Sequence, residues 1–333
     1  MEYLITKSII FSFIAFLLSK YSKNIGTKLG VLDYPDKIRK LHATPTPQIG
    51  GIIIYIIIVL DFFFAKNSNL DLFYILWISF FFILGFIDDK YKTKWSVKFI
   101  IPIIFFLIYI NINNDILINE IYSETFKKII NIKNIYYFNI FFTLLCVLLL
   151  LNSINMIDGH NGICVIYSIY CFVYLFLLSN NNLNEIFLII LPTLFVITYF
   201  NLKNKIFLGN SGSFLLSGIL SYYLIINNNY YDKISVEKIF LLLIIPGLDM
   251  FRLFITRINN HKNPFSADRN HLHHLLLNNN KNYNHKYLIY FLILIIPSIL
   301  SAIEITKSAY LIIILTILYF IIVKKLKIKN FFC

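Results

Sequence analysis

Charge is what this chain has least of. Only 14% of its 333 residues are Asp, Glu, Lys or Arg, while 58% are hydrophobic, and the mean hydropathy is +0.73. That scarcity excludes an ordinary soluble domain, which has no use for so much apolar surface. Acidic residues are scarcer than basic ones, 17 against 30, for a net charge of +13. In a soluble protein that surplus would raise nucleic acid as a partner; in a chain this apolar it reads as membrane sidedness, and no nucleic acid is expected. Cysteine is also sparse. Cys146, Cys164, Cys171 and Cys333 form no CxxC pair, and three of them lie in apolar stretches, which excludes a disulfide framework and a thiolate metal site. There is no internal repeat and no inverted-repeat signal of the transporter kind. The first apolar stretch lacks a convincing small-residue cleavage site and runs straight into a polar loop, so it reads as a retained helix, not a signal peptide.

What the chain does have is a succession of apolar runs. At roughly 20 residues per span they predict about eleven helices, near 3–19, 50–65, 70–87, 96–112, 137–154, 162–179, 185–200, 213–226, 236–254, 287–303 and 308–323. The expected fold is all-α: a polytopic integral membrane protein forming a single domain over 1–333. About 22 of the Lys and Arg residues fall in the loops of one side and the C-terminal tail, about 8 elsewhere. By the positive-inside rule that side is cytoplasmic. An odd number of spans then puts the N-terminus outside and the C-terminus inside. Asn180–Asn182 and Asn227–Asn229 fall in short connectors on the far side, and the far-side insertion 113–136 carries no interpretable motif.

Five loops on the basic side hold the concentrated polar chemistry, as expected of an enzyme that joins one polar molecule to one lipid. Asp88 and Asp89 end the third span. Adjacent carboxylates repel, so one is protonated more readily or a cation lies between them; the pair suits a general base or a magnesium site, or else a solvated helix end before Lys90, Lys92 and Lys94. Asn152, Asn155 and Asp158 recur every three residues and would line one helical stripe. Such groups at the end of a very apolar span face a polar cavity or bond between helices. Gly159 and Gly162 follow, allowing a tight turn and close approach to a ligand. Gly209-Asn210-Ser211-Gly212 opens a span and suits either a phosphate at the helix start or a simple N-cap. Asp249, Arg252 and Arg257 precede a loop ending His271-Leu272-His273-His274, where arginines can grip phosphate bidentately. Zinc is not expected there, since no cysteine and no second spaced His pair completes a ligand set. A solvated basic loop is the plainer alternative. Lys37, Arg39, Lys40 and His42, beside Pro45, Pro47 and Gly50-Gly51, could simply meet anionic lipid.

Together these motifs resemble the polyprenyl-phosphate N-acetylhexosamine-1-phosphate transferase family. The resemblance runs from about Asp33 to His274 with the motifs in the family's order. The Asp pair, the Asn-x-x-Asn-x-x-Asp-Gly run and the His-x-His-His end make a specific combination. His-Leu-His-His is similar to the GlcNAc-1-phosphate branch, whereas the peptidoglycan branch more often shows three adjacent histidines. The resemblance implies ten or eleven helices, a site on the cytoplasmic face of the bacterial inner membrane, and transfer of a sugar 1-phosphate from a UDP-N-acetylhexosamine to undecaprenyl phosphate with release of UMP. It implies Mg2+ as cofactor, with Mn2+ as the alternative, membrane lipid as a partner, and a homodimer. It assigns catalysis to Asp88, Asp89 and Asp158, and metal binding to Asp88, Asn155 and Asn210. Asn161 matches a position that contacts uracil. Arg257, His271, His273 and His274 match the part that holds sugar and diphosphate, and Asn152, Asn155, Lys40 and His42 join the substrate-binding set. Two positions depart from the pattern. Asn210 stands where the family usually has a magnesium-binding Asp, and Asn161 stands where many bacterial members have Asp. A transporter or flippase is the competing reading, opposed by polar groups that crowd one surface instead of the bilayer midplane.

Overall fold

The computed structural model describes residues 2–35, 44–64, 72–135, 137–178, 184–230, 234–264, 270–277, 283–303 and 307–331. Long helices stand at all eleven expected places: α1 (Glu2–Lys20), α3 (Gly50–Phe64), α4 (Leu72–Tyr91), α5 (Trp95–Tyr109), α6 (Phe138–Ile157), α7 (Ile163–Leu178), α8 (Asn184–Leu202), α9 (Gly209–Tyr230), α10 (Val236–Asn259), α12 (Tyr283–Ala302) and α13 (Ser308–Phe331). Two short helices complete the set, α2 (Ser22–Leu29) and α11 (Leu272–Leu277). Among the described residues, six helices are long and apolar enough to cross a bilayer, with four shorter apolar helical stretches. Ile9, Ile10 and Phe13 on α1 and Ile313, Ile314 and Ile317 on α13 are exposed. An apolar surface of that extent is stable only against lipid. The protein is an all-α membrane protein.

Two boundaries differ from the expected ones in an informative way. Helix α4 runs past residue 87 to include the Asp pair, because Lys92 N–H still bonds to Asp88 O at 2.9 Å. Helix α9 begins at Gly209 instead of 213, because its first amides find a partner described below.

The chain folds as two compact units. One comprises Met1–Ile116 and Asn161–Ile226, the other Leu117–His160 and Asn227–Cys333. In the first, α1 packs on α3 and α8, and α3 packs on α4. Its core is aromatic: Trp77, fully buried, meets Phe81, Phe105, Phe106 and Tyr109, and its indole N–H donates to Gly218 O of α9 at 3.0 Å. Such rings contribute packing beyond their area when the N–H is satisfied. Strands β1 (Leu32–Asp33) and β2 (Thr46–Pro47) pair antiparallel. Gly50 N–H and Gly51 N–H bond to Phe207 O and Leu208 O, both at 3.0 Å, which sets the start of α3 against the start of α9. Gly85 brings α4 equally close, for a Cβ there would lie 2.3 Å from Asn210 O.

Within this unit Lys7 of α1 forms an ion pair with Asp61 of α3, and both side chains are less than a tenth exposed. Removing one partner of a buried pair strands the other charge, at a cost of about 3–5 kcal/mol. Lys7→Met is therefore expected to lower the thermal unfolding midpoint in detergent, and Lys7→Met with Asp61→Leu to recover most of the loss. A double variant no more stable than the single one would show that the pair is not what is lost.

In the second unit α10 packs against α6, α12 and α13, and α11 packs against α12 and α13. The insertion that carried no readable motif holds a hairpin, β3 (Glu120–Ser123) with β4 (Lys128–Asn131). Glu237, in the first turn of α10, secures its tip by accepting from Glu124 N–H at 3.1 Å and Thr125 N–H at 3.2 Å.

Candidate active site

The Asp pair splits into two jobs. Asp88 and Asp89 are both buried, at 2% and 3% exposure. Successive residues on a helix point about 100° apart, so their carboxylates face different neighbours. Asp89 turns toward α9: its Oδ1 accepts from Asn210 N–H at 2.8 Å and its Oδ2 from Ser211 N–H at 2.9 Å. It caps the first turn of a helix 121 residues away in the chain, supplying a negative charge where the helix dipole and the orphan amides favour one. The amides that could have held a phosphate at this helix start are thus taken by a side chain of the protein itself, and Asp89 fixes the start of α9.

Asp88 turns toward the start of α5. Its Oδ1 accepts from Thr93 N–H at 2.9 Å and Thr93 Oγ1 at 2.7 Å. Its Oδ2 meets Lys98 Nζ at 2.6 Å and Asn210 Nδ2 at 2.6 Å. Neither Thr93 nor Lys98 was singled out by the sequence. Lys98 had a signal: it lies in the first turn of the helix that follows the acidic pair, where a cation can reach back across the turn.

Asn210 stands where the family pattern has an acid, and the consequence is visible. Two carboxylates at that separation would require a proton or a cation between them; the Asn210 amide replaces that requirement with a hydrogen bond. Asn161 also belongs to this unit. Its Nδ2 donates to Asn204 Oδ1, and the neighbouring Gly162 N–H donates to Asn201 Oδ1.

In the second unit the site residues gather around Asp249, which is 6% exposed. Its Oδ1 accepts from Arg252 Nη2 at 2.7 Å and from Tyr319 OH at 2.7 Å. His271 Nδ1 lies 3.3 Å from its Oδ2, and Leu272 N–H reaches both oxygens at 3.2 Å. Arg252 continues to Asn270 O at 2.6 Å and Tyr319 OH at 2.9 Å. The carboxylate thus fixes the entry to α11 and the orientation of His271. Tyr319 of α13 gave no sequence signal. Arg257 is buried and donates to Pro264 O at 2.8 Å, closing the turn after α10.

Asn152 and Asn155 lie on α6, where Asn152 Nδ2 donates back to Leu148 O at 2.7 Å. Asp158 is the C-cap of α6, so the expected stripe ends as the helix does. Asn152, Asn155 and Asp158 are all half-buried. The turn after them meets α11: a Cβ on Gly159 would lie 2.0 Å from His273 Nε2, so a side chain there would force the His273 ring to move. Spacing along the chain could not show that His160 of this turn joins His273 and His274, one nitrogen from each lying within 4.8 Å of the others. The sequence offered no cysteine and no second spaced His pair for this cluster; packing adds a single third histidine from a distant turn. Burial, and then the neighbouring His274, His271 and His160, hold the His273 imidazole well below the ordinary histidine range, which keeps it neutral. Lys40 and His42 lie outside the described residues.

Much of the chain is similar in sequence to known proteins. A sequence model described as Glycosyl transferase family 4 matches residues 72–228. A Bacillus subtilis (strain 168) protein named "Probable undecaprenyl-phosphate N-acetylglucosaminyl 1-phosphate transferase" is 28% identical over 320 residues, covering 92% of this chain and 86% of its own. The undecaprenyl-phosphate alpha-N-acetylglucosaminyl 1-phosphate transferase of Thermotoga maritima is 26% identical, covering 79% and 78%. The protein of that name from Escherichia coli (strain K12) is 23% identical, covering 77% and 72%. The family match begins with the helix that carries Asp88 and runs into the helix that opens on Asn210, and the histidine end lies beyond it: over these residues the chain is similar to glycosyl transferase family 4.

Proposed function

We propose that the chain transfers N-acetylglucosamine 1-phosphate from UDP-N-acetylglucosamine to undecaprenyl phosphate, leaving a lipid diphosphosugar in the membrane and releasing UMP. The observation that carries this reading is Asp88, an acid buried at the end of an apolar helix and held by Thr93, Lys98 and Asn210. A charge kept at such a place serves an ionic substrate more readily than it serves stability. The names of the relatives support the acceptor and the transferred group, the family resemblance implies the UDP donor, and the membrane fold supplies access to a lipid acceptor.

In this reading an oxygen of the lipid phosphate attacks the β-phosphorus of the nucleotide sugar. The bond between β-phosphorus and the bridging oxygen breaks, and that oxygen leaves with UMP. Asp88 takes the acceptor's proton, and Lys98, 2.6 Å from its Oδ2, orients the carboxylate for it. Mg2+ or Mn2+ prefers hard oxygen donors; Asp88 would supply its carboxylate, and Asn210 would supply its oxygen once the amide, whose NH2 faces Asp88, turns over to replace that hydrogen bond. Bound there, such an ion would neutralise charge on the diphosphate. The motif face is cytoplasmic in a bacterial inner membrane, where nucleotide sugars are available, and the product would start a surface polysaccharide.

The test is UMP release by purified protein given undecaprenyl phosphate, magnesium and UDP-N-acetylglucosamine. Release abolished by chelator supports the reading, and no release with any UDP-N-acetylhexosamine overturns it. Asn210→Asp sets a second carboxylate beside Asp88, and a divalent cation relieves that repulsion. The magnesium concentration for half-maximal release should fall several-fold; an unchanged value would place Asn210 outside the metal's reach.

A further inference from the structure

We propose that His160, His273 and His274 form a binding site for a divalent transition-metal ion of the zinc class, separate from the Asp88–Asn210 oxygen donors. Three imidazoles suit zinc and its neighbours, whereas magnesium takes oxygen ligands. The His160 ring stands nearly perpendicular to that of His273, with centroids 5.3 Å apart, and 5.4 Å from that of His274; the rings of His273 and His274 are 4.2 Å apart.

The second observation is His273 itself. It is 1% exposed, and neither Nδ1 nor Nε2 has a hydrogen-bond partner. Folded proteins rarely bury polar atoms without one, and such an atom calls for a ligand. The mutually close set is His160, His273 and His274; His271 lies beside it with its Nδ1 toward Asp249. At zinc–nitrogen distances near 2.0 Å, tetrahedral ligand atoms lie about 3.4 Å apart. Nitrogens already within 4.8 Å reach that by side-chain rotation, for which half-buried His160, on a turn, has room. Three protein ligands leave a fourth position for water or an anionic oxygen. The bound ion would tie the turn after α6 to α11.

The experiment uses full-length protein purified through a tag without histidine, stripped with chelator, exposed to zinc and dialysed. One zinc ion per chain is expected, with an unfolding midpoint that rises with zinc concentration. Cobalt substituted for zinc should give the intense visible bands of a tetrahedral site. His160→Ala and His274→Gln should each lose the ion while unfolding, without metal, where the parent does. His285→Ala, which alters an exposed histidine, should keep it. Less than half an ion per parent chain, or full retention by both His160→Ala and His274→Gln, overturns the proposal. Neither readout depends on transferase activity, so the site stands or falls apart from it.

Discussion

Asp88→Asn is expected to slow UMP release by about 10³-fold, the scale lost with a general base, while the unfolding midpoint stays close to that of the parent. The substitution is tolerated structurally because the new amide can keep its oxygen toward Thr93. Its NH2 then faces Asn210, whose own amide rotates by half a turn to present its oxygen. Only Lys98 loses a charged partner, and at 29% side-chain exposure it can turn to water. Asp89→Asn should behave in the opposite way. Asp89 accepts from two amides with two oxygens, so replacing one oxygen by NH2 sets a donor against a donor. A loss of about 1–3 kcal/mol in stability is expected, with activity falling only as the start of α9 loosens. Measuring midpoint and turnover for both variants separates the roles. Equal turnover for Asp88→Asn and the parent would remove Asp88 from the chemistry.

Asp249→Ala is expected to be the most destabilising single change in the second unit. It leaves the Arg252 guanidinium buried without its carboxylate and deprives Tyr319 OH, His271 and Leu272 N–H of an acceptor. Breaking a buried ion pair costs about 3–5 kcal/mol. Asp249→Asn keeps the shape and part of the hydrogen bonding, so it should fold. It no longer fixes the His271 ring, and misplacing a substrate-holding group by an ångström can cost about 10²-fold. The informative readout is the split between KM for the nucleotide sugar and kcat in Asp249→Asn at unchanged midpoint. Parent-like kinetics in a folded Asp249→Asn would reduce the network to a structural brace.

The helices were legible because bilayer thickness imposes a length and an apolarity that survive any local composition, and all eleven long helices stand where apolar runs predicted them. The site was legible as residue types and only in part as roles. Asp88 and Asp89 are neighbours in sequence, and nothing in two letters shows that one faces a lysine while the other caps a distant helix. His160 was unreadable for a related reason: what it meets is set by the packing of the turn after α6 against α11, and spacing along the chain carries no record of that. The hairpin at 120–131 was missed because its strands are four residues long, and one of them buries nothing. The apolar alternation that announces a strand is therefore absent.

The cap formed by Asp89 bears on how the chain is made. Synthesis proceeds from the N-terminus, so Asp89 is made 121 residues before the amide of Asn210 exists. Throughout that interval a carboxylate destined for burial lacks these two amides, and the hydrocarbon layer would charge several kcal/mol to hold it. The lower end of α4 must therefore wait at the water boundary until α9 arrives. Arrival of α9 is then the event that sets the depth of α4, and with it the final position of Asp88. The acidic end of the third span is completed only late in biogenesis, by a helix not yet synthesised when that span enters the membrane.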